Sequence, residues 1–240
     1  VAYSALASIE KLREIKQHNR VVGIIADTHE PACHPDYFDF ICKTFDYYDV
    51  TDVVHIGDVV DHHFISRHVS EPDAFNPLDE MDLAISNLKK WSKQFPDVKI
   101  TNGNHDRIPE RQIKTLGIPS RYLRNLNDIY ELPATWEFSN NYIIDNVWYE
   151  HGIGSNGMYG AKNTALKYGI SFVQGHTHAN GGTFYMSSPV RDMFAMNVGC
   201  GCDTEHLQMR YGKIFKAKPT LGCGIVIDGK YGIFVPMGGQ

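Results

Sequence analysis

The chain has 240 residues, 42% of them hydrophobic and 21% charged, with a formal net charge of -5. These values are ordinary for a globular protein, so disordered and fibrous classes are set aside, and the mild acidity without a long basic run argues against non-specific polyanion binding. The length suits one large core, which makes a single domain over 1-240 the expectation.

In chain order, Leu6, Ile9, Leu12 and Ile15 recur at helical spacing, and an amphipathic lead-in helix is predicted within 1-18. Val21 to Ala26 is a continuous apolar run, as expected of a central strand covered on both faces, and it ends at Asp27. Asp36 to Tyr48 carries Phe38, Ile41, Phe45 and Tyr48 at helical intervals and predicts a crossover helix to a parallel strand at Asp52 to Ile56. Asn76 is placed to cap a helix with Pro77 at its first position, an apolar stripe of Leu78, Met81, Ile85, Leu88 and Phe95, and a stop at Pro96. Val98 to Ile100 is a third strand.

Beyond it the helical signal fades. Asn141 to Trp148, Ser171 to Val173, Gly182 to Met186, Met193 to Val198, Cys223 to Ile227 and Tyr231 to Val235 read as strands, with Asp228-Gly229 as a hairpin turn. Five cysteines without regular spacing describe no disulfide framework, and a reducing, cytoplasmic location is expected. Cys200-Gly201-Cys202 has the form of a metal-binding or redox pair but lacks the second pair of a structural zinc site, so buried strand-end thiols are the favoured reading. The apolar runs are too short to span a bilayer, so no membrane partner is expected.

Five short motifs punctuate these elements: Asp27-Thr28-His29, Gly57-Asp58-Val59-Val60-Asp61, Gly103-Asn104-His105-Asp106, His151-Gly152 and Gly175-His176-Thr177-His178. Most follow a predicted buried strand, so their side chains would collect along one sheet edge. Carboxylates, imidazoles and one amide oxygen suit zinc, iron or manganese better than calcium. Asp27 and His29 stand two apart, as do His176 and His178, so on extended chain each pair would point one way. Seven candidate ligands for two metals leave one to share, and Asp58 is the chosen bridge. Two cations so held favour in-line displacement at a phosphate ester. An imidazolium beside them needs a carboxylate partner; Asp61 is the first candidate, and Asp106 is either a second or the cap of a helix starting near Arg107.

The series resembles the calcineurin-like metallophosphoesterase superfamily, whose pattern is DxH, GDxxD, GNH[DE], H and GHxH. The resemblance spans Asp27 to His178 and implies a four-layer α/β/β/α sandwich, two mixed sheets flanked by helices, with the dimetal site at the strand-end loops. It implies a first metal on Asp27, His29 and His178, a second on Asn104, His151 and His176, and Asp58 between them. His105 then matches the imidazole that stabilises the transition state and protonates the leaving oxygen, and Asp61 matches its orienting partner.

The implied activity is hydrolysis of a phosphomonoester or phosphodiester by a metal-bridging hydroxide. The cofactors are two divalent metal ions, manganese first, with zinc, iron or nickel as alternatives. The partner is a phosphate-ester substrate, with nucleotide or nucleic acid as options. A nuclease or cyclic-nucleotide phosphodiesterase is the narrower alternative, and a non-catalytic scaffold of the same fold is the alternative of another class. One departure stands out: where protein phosphatases of the superfamily carry Arg-Gly after the second Asp, this chain has His62-His63, which argues against Ser/Thr phosphoprotein phosphatase activity. His62, His63, Arg107 and Arg111 are the remaining candidates to face a phosphate, and the aromatics around Tyr37, Phe38 and Tyr159 are candidates to line a cleft, with core packing as their alternative use.

Overall fold

The structure is a computed structural model describing residues 20–66, 73, 75–203, 205–209 and 218–238. The helix predicted within 1-18 lies outside the described residues.

Two mixed sheets form the centre. The run after Arg20 becomes β1 (Val21–Ile25), buried at every position as its unbroken apolar character requires. Helix α1 (Tyr37–Tyr47) carries the chain over to β2 (Asp52–His55), parallel to β1, and α2 (Pro77–Gln94) carries it to β3 (Val98–Thr101), parallel to β2. Next come α3 (Ile108–Thr115), α4 (Leu126–Tyr130) and β4 (Trp136–Ser139), which pairs parallel with β3. The hairpin β10 (Gly222–Ile227) and β11 (Tyr231–Pro236) returns antiparallel to the other side of β1, giving the order β11-β10-β1-β2-β3-β4. The second sheet has the order β5-β6-β7-β9-β8, from β5 (Asn141–Ile144), β6 (Val147–Glu150), β7 (Ser171–Gln174), β8 (Gly181–Ser187) and β9 (Asp192–Val198).

One apolar cluster runs through both sheets and into α1 and α2, joining Ile24 and Val226 to Val173, Phe194 and Met196 and to Ile41, Leu88 and Trp91. Helix α5 (Gly160–Tyr168) sets Ala161 and Ala165 against Phe172 and Ala195 of the second sheet. This is the expected arrangement of two mixed sheets flanked by helices.

Three expectations are corrected. Asn141 to Trp148 is a hairpin rather than one strand, because Asp145 and Asn146 both take left-handed backbone (φ 49 and 60) and reverse the chain. The helical signal does not fade after β3: α3, α4 and α5 follow, at 8, 5 and 9 residues too short for a clear period. On α2 the buried face is Glu80, Ala84, Leu88 and Trp91, while Leu78 is 68% exposed. Glu80 faces inward because its carboxylate accepts from the His63 N–H at 2.8 Å.

Candidate metal centre

Every ligand-bearing loop leaves the end of a strand or follows it closely, and several turn sharply there. His29, Asp58 and His176 all hold left-handed backbone, with φ of 48, 50 and 62. Residues without the freedom of glycine keep such conformations only where the surroundings enforce them. Asp27 and His29 therefore converge through a turn, not through the extended chain expected from their spacing. The loops are tied to one another: the His29 N–H donates to the Asp58 carbonyl at 2.9 Å and the Glu30 N–H to Val59 at 2.8 Å.

Asp106 corrects a second reading. It caps no helix; its buried carboxylate accepts from the backbone N–H groups of Asp58 at 2.9 Å, Val59 at 3.0 Å and Gly103 at 3.0 Å, pinning two motif loops together. Burial and the charge of Asp58 push it up to about 6, so three aligned donors hold a carboxylate that still ionises at neutral pH.

The side chains fall into two overlapping clusters. Asp27, His29, Asp58 and His178 form the first, and Asp58, His151 and His176 the second, each with its donor atoms within 4.8 Å of one another. In the first, His29 Nε2 lies 3.2 Å from His178 Nε2 and 3.5 Å from Asp58 Oδ2, and His178 Nε2 lies 3.1 Å from Asp27 Oδ2. His29 Nδ1 sits 2.8 Å from Asp61 Oδ1, an orientation in which its N–H goes to the carboxylate and the Nε2 lone pair faces His178. Two imidazole nitrogens facing each other among carboxylates is the arrangement a shared cation satisfies.

The second cluster repeats the design. His151 Nδ1 lies 2.9 Å from the Ile56 carbonyl, which takes that N–H, and Nε2 faces Asp58 Oδ2 at 3.2 Å and the Asn104 amide oxygen at 3.1 Å. Asp58 Oδ2 thus stands between the clusters, while its Oδ1 accepts the His105 N–H at 2.7 Å. His176 enters through its backbone as well, donating to Asp27 Oδ2 at 2.8 Å.

The electrostatics match. Burial opposes ionisation of Asp58, yet His151, His105 and His29 hold it well below the usual carboxylate range. Burial likewise opposes charge on His151, but Asp58 and Asp27 hold it up to about 9. His29 is lowered by burial and by His105. His105 is raised to about 10: burial works against its charge, and Asp58 and Asp61 outweigh burial. Its Nδ1 lies 2.6 Å from the Asp61 carbonyl and 3.2 Å from Asp61 Oδ1, so Nε2 is the ring's remaining donor.

These residues fit a metal pair on two further counts. Asp27 Oδ1 is fully buried without a hydrogen-bond partner, a costly state for a carboxylate oxygen unless a cation takes it. Glycine is also required beside both carboxylates, since a Cβ at Gly103 would collide with Asp58 and one at Gly175 with Asp27.

The other candidates separate. His62 turns away from the centre: it is buried, with Nε2 2.8 Å from the Tyr130 hydroxyl, and is lowered to about 4 by burial. His63 is buried with Nδ1 3.9 Å from Asp61 Oδ2. Arg111 donates to the Asn104 carbonyl at 2.8 Å, which places it beside the second cluster, while Arg107 is tied to the Asn140 amide oxygen at 2.7 Å. Tyr37 is core, its hydroxyl bridging Ala26 and Gly222, whereas Tyr159 is 55% exposed. Cys200 and Cys202 are buried as expected, and Cys202 also has its sulfur within 4.8 Å of the His29 and His178 ring nitrogens.

Three buried carboxylates and their imidazoles thus gather at one sheet edge as groups that could hold metal ions. The chain belongs to the calcineurin-like phosphoesterase family, whose model matches residues 20–197. No curated protein gives a significant sequence match. Among solved structures it is similar to Vacuolar Protein Sorting 29 of Cryptosporidium parvum, at 13% identity and TM-score 0.46 over 92% of this chain and 99% of that one. It is also similar to the phosphoesterase Yfce of E. coli, at 15% identity and TM-score 0.40 over 85% and 87% of the two chains. The nuclease MPE of Pseudomonas putida matches at 12% identity and TM-score 0.37 over 89% of this chain and 87% of that chain. Among the described residues no helix is long and apolar enough to cross a membrane.

Proposed function

We propose that the protein is a hydrolase of phosphate esters that works with two divalent metal ions. The observation that carries this reading is Asp58, one of whose carboxylate oxygens stands between two ligand clusters that otherwise share no residue. Asp27, His29 and His178 would hold one ion with Asp58, and Asn104, His151 and His176 the other. Bound there, the pair would supply an activated water and a clamp on the phosphate oxygens.

The chain's own residues do the rest. Asp61 fixes His29 through Nδ1 and His105 through Nδ1, so one buried carboxylate orients a ligand and an acid together. Without metal, and against burial, Asp58 and Asp61 raise His105 to about 10, and its Nε2–H is the donor a leaving oxygen would meet, with the proton restored from solvent. Arg111, bonded to the Asn104 carbonyl, would meet a phosphate's remaining charge. Manganese is the first metal to test.

The test is a panel of mono- and diester substrates assayed after metal stripping and reloading with manganese, zinc, nickel or iron. Hydrolysis is expected only in reloaded samples. Asp58→Asn should lose most metal and activity together, while His105→Ala keeps its metal and loses roughly 10²- to 10⁴-fold in turnover. Equal metal loss in both variants would refute the division of roles, and hydrolysis by stripped protein would refute the reading.

A further inference from the structure

His29 and His178 belong to a second group as well: together with Cys202 they place three donor atoms within 4.8 Å of one another. Cys202 is carried there by a rigid segment. The Gly201 N–H donates to the Asp27 carbonyl at 2.8 Å, the His34 N–H to the Gly201 carbonyl at 2.7 Å, and the Asp203 N–H to the Ala32 carbonyl at 2.8 Å. This stitches residues 201–203 onto the loop that begins with Asp27 and His29. The thiol is 1% exposed, lies 3.5 Å from the Asp27 carbonyl and also hydrogen-bonds with the Cys200 thiol. On that same loop Asp27 Oδ1 is buried without a partner. The sulfur packs in an apolar cluster with Ala32, Cys200, Met209 and Leu221, and from there it also comes within reach of the His29 and His178 ring nitrogens.

We propose that Cys202 ligates the first metal ion through its sulfur, alongside His29 and His178, making this one position selective for a thiophilic cation such as zinc or iron(II). Binding transfers the thiol proton to solvent and a sulfur lone pair to the cation, with no change of oxidation state. Thiolate favours zinc and iron over manganese, whereas the second cluster, built from oxygen and nitrogen alone, keeps no such preference. The two positions would then load different metals. The placement of the cation rests on the dimetal reading above; the thiolate bond is an additional claim with its own readout.

That readout is spectroscopic and needs no turnover. Stripped, reduced protein is titrated with cobalt(II), and the near-ultraviolet thiolate-to-cobalt band is followed in the wild type, Cys202→Ser and Cys200→Ser. The band is expected in the wild type and Cys200→Ser and absent in Cys202→Ser. Zinc affinity by chelator competition should fall in Cys202→Ser by at least roughly 10- to 100-fold, the loss that removing even an outer partner brings, with manganese affinity at the second cluster unchanged. X-ray absorption of the zinc-loaded wild type needs no variant and should show a sulfur neighbour at about 2.3 Å. Cobalt bound with visible ligand-field bands but no thiolate band, or zinc with only nitrogen and oxygen neighbours, overturns the proposal and leaves the dimetal reading standing. A band that survives Cys202→Ser overturns it too. Failure to bind any metal sinks both.

Discussion

His55 and His151 both stand at strand ends, yet their surroundings keep the first neutral and favour charge on the second. The Gly57 N–H donates to His55 Nδ1 at 3.2 Å, and Nε2 lies 3.0 Å from the Thr28 hydroxyl, which itself donates to the Val59 carbonyl. Both ring nitrogens are therefore used in the neutral form. Burial, the largest influence, lowers His55 to about 4, with Asp27 and Asp58 only partly opposing it. The unfolded chain takes up this proton first as pH falls, so the stability that neutral His55 contributes is complete above its ordinary value of 6.5 and is lost progressively towards pH 4. In metal-free protein, denaturant unfolding of the wild type and His55→Asn should converge across that window. The wild type should lose up to about 3 kcal/mol more than the variant between neutral pH and pH 4. Parallel pH profiles would disprove it. Nothing in Asp52-Val53-Val54-His55 marks the histidine as the inert member of the pair, because its partners come from the loops after two different strands.

At the scale of elements, legibility followed local chemistry. Helix α2 was written out by its cap: Asn76 accepts from the Leu78 and Asp79 N–H groups at 3.0 and 3.1 Å, with Pro77 in the first turn. Asn76→Ala should cost about 1 kcal/mol and lower the melting temperature by roughly 2 to 4 °C, read by calorimetry, with metal content unchanged. No shift at all would mean that the cap is replaced by water. The Asp228-Gly229 turn was equally readable, since both residues take positive φ, at 48 and 66. Helices α3, α4 and α5 were not, because about two and a half turns or fewer of an amphipathic pattern cannot be distinguished from loop composition. Of the stripe assigned to α2, Leu88 and Phe95 are core and Met81 packs against it, but Leu78 faces out. Which face is inward depends on where Glu80 finds the His63 N–H, and on Trp91, whose indole N–H donates to buried Glu30 at 2.9 Å.

Over the whole molecule, the metal centre is a seam between the two sheets: Asp27 and Asp58 follow strands of the first, His151 and His176 follow strands of the second. The core cluster crosses that seam without using any of these ligands, joining Ile24 and Val226 to Val173 and Met196. Burial of this apolar surface holds the sheets together whether or not metal is bound. Chelation is therefore expected to abolish hydrolysis while far-ultraviolet circular dichroism stays native and cooperative unfolding persists. A stripped chain that unfolds at ambient temperature would identify the metal as a folding element instead.

The sequence by itself determined the donor types, their order and the strands that deliver them, because ligand chemistry and hydrophobic periodicity are both written locally. It also determined the family, through five motifs in fixed order. What only the tertiary structure decided are the relations between distant residues: that Asp58 Oδ2 faces both clusters, that Asp106 ties two loops by their backbone, and that Cys202 meets Asp27 across 175 residues. Such contacts are set by how two twisted sheets come together, and no local pattern encodes the distance between side chains on opposite sides of that closure.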